Sequence, residues 1–122
     1  MASVMRAAVP VLRIGEEARA REFYLGVLGL SEVFAHRFEP GLPLYLRVRR
    51  DRLELDLSEH TGDGTPGTVV WVAVDDVAAL QGELAARWDA GAAPQVDDAA
   101  PGGPTLEVGD PFGNVLRFCQ PG

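Results

Sequence analysis

The same order of strand and helix signals occurs twice along this chain, and this repetition restricts its fold more than any other feature. In the first half, apolar residues at 9–12 predict a strand, and the apolar positions within 20–28 have helical spacing. In the second half, 68–74 predicts a strand and 77–88 again has helical spacing. The segment between the halves, 60–67, is rich in Gly, Thr, Asp and Pro, which is typical of a connector.

Strand signals follow the helix signal in each half. Apolar and polar residues alternate over 44–49 and 51–58, and 31–38 precedes them as a further extended segment. In the second half, 105–109 and 115–119 predict the closing strands, after a loop that surrounds a short strand. Each half therefore has the order βαβββ.

The predicted fold class is α+β. Two βαβββ modules are expected to form a curved mixed sheet, with helices on the convex side and a ligand cavity on the concave side. Residues 1–122 are predicted to form a single domain, in which module 1 covers about 6–59, the connector covers 60–67 and module 2 covers about 68–120.

Composition excludes several classes of function. No apolar run approaches the roughly 20 residues that cross a bilayer, and no signal-peptide pattern is present, so a cytoplasmic protein with no membrane partner is expected. A formal net charge of -7 disfavours nucleic-acid binding. The charge can favour cationic small molecules or simply provide solubility. The single cysteine, Cys119, is predicted to be a core residue of the last strand.

Three patches of sequence carry a resemblance to a known family. They are 9–14 with 20–30, then 36–48 with 53–67, then 69–80 with 110–118. In this order and spacing, the chain from Ala7 to Gln120 resembles the glyoxalase/bleomycin resistance protein/extradiol dioxygenase (vicinal oxygen chelate) superfamily. It is most similar to the metal-free bleomycin resistance proteins of that superfamily.

The resemblance implies which positions would hold a metal in the metal-dependent members. They match Val9, Val69, Arg117, and either Glu54 or, with a shift of two residues, Asp56. One carboxylate, two valines and a guanidinium cannot bind a divalent cation, so neither a metal nor another cofactor is expected. Arg117 is expected to pair with Glu54 in the space that a metal would fill.

The resemblance implies a binding protein that sequesters a bleomycin-type or other planar cationic molecule, and thereby confers antibiotic resistance without catalysis. It also implies a homodimer with two cavities at the subunit interface, each built from modules of both chains. Two alternatives stay open. One is a metal-dependent glyoxalase, thiol transferase or dioxygenase whose ligand set is aligned differently, and the other is a small-molecule sensor with an unrelated ligand.

Candidate ligand-binding residues lie on the polar strand faces and in the adjoining loops. Trp71 lies opposite the row of Val70, Val72 and Val74, so it can stack on a planar ligand or be a core residue. His60, like His36, is a candidate general base, but a histidine with no nucleophile partner is usually solvated, so no catalytic residue is assigned. The full set is Phe38, Tyr45, Arg47, Glu54, Asp56, His60, Trp71, Phe112 and Arg117.

Each of the remaining candidates also has a structural interpretation. Phe38 and Tyr45 can line the cavity mouth or pack on the surface. Glu54 and Asp56 can bind a basic ligand or be neutralised by Arg47 and Arg117. The ring of Phe112, inside the turn at 110–114, can contact a ligand or pack within its hairpin.

Overall fold

The computed structural model describes residues 2–122, and module 1 has the predicted order of elements. Strand β1 is Val11–Arg13 and helix α1 is Glu17–Arg21; strands β2, β3 and β4 are Ser31–His36, Tyr45–Arg50 and Leu53–Ser58. Module 2 repeats this order with β5 at Val69–Ala73, α2 at Val77–Arg87, and β6, β7 and β8 at Val96–Asp97, Thr105–Gly109 and Val115–Cys119. The predicted βαβββ repeat is confirmed.

The first helix differs from a regular α-helix in its second half. The Glu16 carboxylate accepts a hydrogen bond from the Arg19 amide at 2.8 Å and caps the start of α1. After Arg21 the chain continues as a π-helical segment, Glu22–Val27, in which the hydrogen bonds span one residue more than in an α-helix. Two consecutive aromatic side chains of this segment, Phe23 and Tyr24, are buried.

The eight strands form two four-stranded sheets, one in each module. The first sheet has the order β1-β4-β3-β2 and the second has the order β5-β8-β7-β6. The connector passes close to β1, because a Cβ atom at Gly64 would lie 2.7 Å from the Val11 carbonyl oxygen. Since Gly64 has φ of +66° and lies against this strand edge, only glycine fits there without strain.

One hydrophobic cluster includes buried residues of both modules. Tyr24 of module 1 donates a hydrogen bond to the Asp110 carboxylate of module 2 at 2.6 Å. Arg50 of β3 pairs with Glu83 of α2 at 2.6 Å, which adds a second polar link. The modules therefore share a core and polar contacts even though their sheets are separate.

One sequence prediction about a single residue holds in the folded chain. Cys119 is a buried free cysteine in β8, as predicted. Trp88 follows α2 and packs partly buried against the core, with its ring centroid 6.3 Å from that of Phe23. Among the described residues, no helix has the length and apolar character needed to span a bilayer.

Candidate functional site

The first sheet has one apolar face and one polar face. Antiparallel pairing of β3 with β4 places Tyr45 opposite Ser58 and Arg47 opposite Asp56. Leu46, which alternates with them, is completely buried in the core. Because successive strand residues point to opposite faces, these four polar side chains share the face that is turned away from the core.

Asp56 is the centre of this polar face. It is only 2% exposed, and it accepts hydrogen bonds from the Tyr45 hydroxyl and from Arg47. The Arg47 Nε atom lies 2.6 Å from Oδ1 and the Nη2 atom lies 2.9 Å from Oδ2. Both carboxylate oxygens are therefore occupied within what we call the Asp56 cluster, which consists of Tyr45, Arg47 and Asp56.

The Asp56 cluster changes the acidity of its members. Burial, together with the hydrogen bond to the Asp56 carboxylate, raises the pKa of Tyr45 to about 12. The hydrogen bond to Asp56 also raises the pKa of Arg47. At neutral pH the phenol therefore keeps its proton, and Arg47 and Asp56 form a neutralised pair.

Phe34 of β2 extends the cluster into an aromatic surface, and it was not among the predicted site residues. It lies opposite Arg47 in the antiparallel pairing of β2 with β3. Its ring is nearly parallel to that of Tyr45, with centroids 6.3 Å apart and an interplanar angle of 9°. The Arg47 guanidinium carbon lies 5.0 Å from the Phe34 centroid, within the range of a cation–π contact.

A second aromatic group lies beyond the end of β2. The Phe38 ring is 73% exposed and makes edge-to-face contacts with His36 at 4.9 Å and with His60 at 6.0 Å between centroids. Ser58 links this group to the sheet, because its hydroxyl accepts a hydrogen bond from the His60 amide at 3.0 Å. Within residues 2–122 neither imidazole makes a side-chain hydrogen bond, so no general-base pair is formed.

The corresponding face of the second sheet carries Trp71. The parallel pairing of β5 with β8 places Trp71 opposite Arg117. Trp71 is 54% exposed, whereas Val70 is buried and Val72 is partly buried against the core. The predicted separation of Trp71 from the row that packs on the helix is therefore present.

The expected pairing of Arg117 with Glu54 is wrong. Arg117 lies 3.2 Å from Glu107, its neighbour across the pairing of β7 with β8. Glu54 instead lies 3.6 Å from Arg49 across the β3–β4 hairpin. Each charge therefore has a cross-strand partner inside its own sheet.

The hydrogen-bond register relates the ion pairs of the two modules. The Ile14 amide donates to the Ser58 carbonyl in module 1, and the Val74 amide donates to the Cys119 carbonyl in module 2. These two bonds make Ser58 of β4 equivalent to Cys119 of β8. Two residues earlier on each strand lie Asp56 and Arg117, so the Arg47–Asp56 pair and the Glu107–Arg117 pair occupy equivalent positions. The signs of the charges are exchanged between the modules.

The same register makes Val9 equivalent to Val69. Val9 lies two residues before β1, whereas Val69 is the first residue of β5. The register also identifies Asp56, and not Glu54, as the counterpart of Arg117. A metal would have to be held by these equivalent positions, but the Asp56 oxygens are occupied by Tyr45 and Arg47. The residues present do not fit a divalent cation, and residues 2–122 contain no group of three His, Cys, Asp or Glu side chains arranged to hold one.

Phe112 lies in the turn between β7 and β8, where Asp110 organises the backbone. The Asp110 carboxylate accepts from the Phe112 amide and from the Asn114 amide, both at 2.8 Å. The Phe112 ring packs against the core, 3.4 Å from where a Cβ of Gly15 would be. These contacts correspond to the hairpin-packing interpretation of Phe112.

A cavity of about 930 Å³ lies between the modules and brings two of the predicted residues together. Its lining includes Glu54 and Trp71, but not the Asp56 cluster, Phe38 or Arg117. Apart from Phe112 in its turn, the candidate residues fall into three places: the polar face of the first sheet with the adjoining Phe38 and His60, the face of the second sheet, and this cavity.

Comparison with known proteins extends over nearly the whole chain. A family model described as a glyoxalase superfamily protein matches residues 2–121. Among curated protein sequences, none matches significantly.

Three solved structures illustrate the similarity of fold. A bleomycin-binding protein from bleomycin-producing Streptomyces verticillus, in complex with copper(II)-bleomycin, is 28% identical with a TM-score of 0.75, and 100% of each chain is covered. The bleomycin resistance determinant encoded on the transposon Tn5 is 21% identical with a TM-score of 0.70, over 96% of this chain and 98% of that one. A glyoxylase/bleomycin resistance protein/dioxygenase domain from Frankia sp. EAN1pec is 20% identical with a TM-score of 0.75, over 98% of this chain and 100% of that one.

Proposed function

The chain belongs to the glyoxalase superfamily, and we propose that it binds and sequesters a bleomycin-type or other planar cationic small molecule without changing it chemically. The observation that carries this proposal is the exposed aromatic surface on the polar face of the first sheet. Phe34 stacks parallel to Tyr45, and Phe38 is largely exposed beside two imidazoles. Flat rings held in fixed positions bind flat ligands by stacking, and 28% identity to a bleomycin-binding protein supports the bleomycin type.

The chemistry of the polar groups supports binding over catalysis. The Asp56 carboxylate is occupied by Tyr45 and Arg47, and the equivalent position of module 2 carries a guanidinium, that of Arg117. Because a Lewis-acid mechanism needs several free donors that converge on one ion, the reactions of metal-dependent relatives have no support from these residues. We therefore assign no catalytic residue and no cofactor.

We propose a homodimer in which each ligand cavity is built from modules of both chains. Large apolar side chains are exposed on both modules, including Phe34 and Phe38 on the first and Val69 and Trp71 on the second. Exposed apolar surface of this kind is usually covered by a partner or a ligand. Sedimentation velocity tests this: a species of about 26 kDa, twice the 13.1 kDa chain, is expected, and a monomer at all concentrations would contradict it.

We further propose one domain with the module limits given above, located in the cytoplasm. The shared core supports a single domain, because residues of both modules contribute to one cluster. The acidic net charge of -7 supports a small-molecule partner and not a nucleic acid.

Expression in a bleomycin-sensitive bacterium tests the proposed function. The chain is expected to raise the bleomycin concentration that permits growth, in proportion to the amount of protein made, because sequestration is stoichiometric. Bleomycin extracted from those cells and released by denaturation should have its original mass. Protection by trace amounts of protein, with a modified drug, would contradict sequestration and indicate an enzyme. The absence of protection at high expression would favour a sensor with an unrelated ligand.

A further inference from the structure

Arg47 has hydrogen-bond donors that no residue within 2–122 uses. A guanidinium has five N–H donors, and Asp56 receives one from Nε and one from Nη2. Within the part of the chain that the structure describes, no acceptor contacts Nη1. The side chain is 30% exposed, so this free edge of the guanidinium is accessible from the polar face.

The position of this free edge is fixed. Two parallel hydrogen bonds to one carboxylate hold the guanidinium in plane, and Asp56 is itself buried and bonded to the Tyr45 hydroxyl. The Phe34 ring lies against the guanidinium, at 5.0 Å from its central carbon. A donor that is already ordered loses little conformational entropy when a ligand binds to it.

The carboxylate of the pair is not available to a ligand. Asp56 is almost fully buried and both its oxygens accept hydrogen bonds. A positively charged group beside the Phe34 and Tyr45 rings would therefore meet a guanidinium and no free anion of the Asp56 cluster. Of the two alternatives for Asp56, binding a basic ligand or being neutralised by an arginine, these contacts correspond to the second.

We infer that Arg47 is a specificity-determining residue that selects ligands with an oxygen acceptor, a carbonyl or a carboxylate, attached directly to a flat ring system. The ring stacks on the aromatic surface of Phe34 and Tyr45, and its oxygen accepts a hydrogen bond from Nη1 of Arg47. This inference rests on the proposed function, since it uses the same aromatic surface. It adds that a positive charge on the ligand must lie on a part of the molecule other than the ring that stacks here.

Three fluorescent probes with one ring system test this inference: anthracene carrying a carboxylate, a carboxamide, or an aminomethyl group at the same position. Affinities are measured by fluorescence anisotropy. Both acceptor probes should bind about tenfold more tightly than the aminomethyl probe, the scale of one charge-assisted hydrogen bond. The carboxylate probe is a charged acceptor and the carboxamide probe is a neutral one. Comparing their affinities therefore separates the effect of charge from the effect of hydrogen bonding.

Variants then locate the effect. Arg47→Gln should abolish the preference for acceptors, and the double variant Arg47→Gln with Asp56→Asn should do the same without leaving a buried unpaired carboxylate. Arg49→Gln is the matched control, because Arg49 lies two residues along the same strand face and pairs with Glu54. It should keep the preference.

Each other outcome overturns the inference. If the aminomethyl probe binds most tightly, or if the preference survives both Arg47 variants, Arg47 does not select the ligand, whereas sequestration of planar cations still stands. If the folded wild-type protein binds none of the three probes, the aromatic surface is not a binding site, and the proposed function fails together with the inference.

Discussion

Replacing Trp71 with alanine should weaken ligand binding far more than it weakens the fold. Trp71 is 54% exposed on the face of the second sheet opposite the core. A tryptophan presents up to about 250 Å², so roughly 130 Å² is available to a ligand. At about 25 cal/mol per Å², covering part or all of this area contributes about 1 to 3 kcal/mol, or roughly 5- to 150-fold in Kd.

The effect on stability should be smaller because the buried contacts of β5 belong to other residues. Val70 is buried and Val72 packs against the core, and neither is changed by the substitution. Isothermal titration with bleomycin gives the change in affinity, and urea denaturation gives the change in the free energy of unfolding.

Val33→Ala is a matched control for this experiment. Val33 is also an exposed apolar strand residue, but it lies at the irregularity of β2 and belongs to none of the candidate groups. It should leave Kd unchanged. The reasoning is refuted if Trp71→Ala binds bleomycin as tightly as the wild type, or if it loses more unfolding free energy than binding free energy.

Three further predictions concern the Asp56 cluster, the link between the modules and metal binding. The Tyr45 phenol should titrate near pH 12 when followed by ultraviolet absorbance, and Asp56→Asn should move its pKa back towards 10. Because the pKa is raised in the folded state, the contribution of Tyr45 to stability is complete below about pH 10 and is lost as the pH rises towards 12. A wild-type transition at pH 10 would disprove this prediction. Tyr24→Phe removes the 2.6 Å hydrogen bond to Asp110 and should lower the free energy of unfolding in urea by about 1.5 to 3 kcal/mol, whereas no change would show that this link contributes nothing. Elemental analysis should find no stoichiometric zinc, nickel, manganese or iron, and EDTA should leave Tm unchanged; one equivalent of metal whose removal lowers Tm would contradict the interpretation of Val9, Val69 and Arg117.

The sequence predicted the order of elements because its signals are local. The alternation of Leu53, Leu55 and Leu57 with polar residues defines β4, and Asp76 caps α2 by accepting a hydrogen bond from the Ala79 amide at 3.0 Å. The separation of the strands into two hydrogen-bonded sheets is not determined by these local signals. It depends on whether the edge strands of the two modules pair, and periodicity along one strand carries no information about this.

The ion pairs near the candidate site were predicted in part. Arg47 was an expected partner of Asp56, and the two residues pair. Arg117 was expected to pair with Glu54 because of the resemblance to metal-dependent relatives, but its partner is Glu107, its cross-strand neighbour. Phe34 was missed although a signal existed: Phe34, His36 and Phe38 alternate along one segment and flank the predicted site. Aromatic side chains at this spacing are as typical of a core as of a ligand site. Only the folded structure, in which Phe34 and Phe38 are exposed, distinguishes between these two roles.

We propose that this chain binds a bleomycin-type molecule and leaves it unchanged. A calorimetric titration with copper(II)-bleomycin, followed by mass spectrometry of the recovered ligand, tests this proposal. Saturable binding at one ligand site per chain is expected, with the ligand recovered at its original mass. No heat of binding at protein concentrations of tens of micromolar, or recovery of a modified ligand, would contradict it.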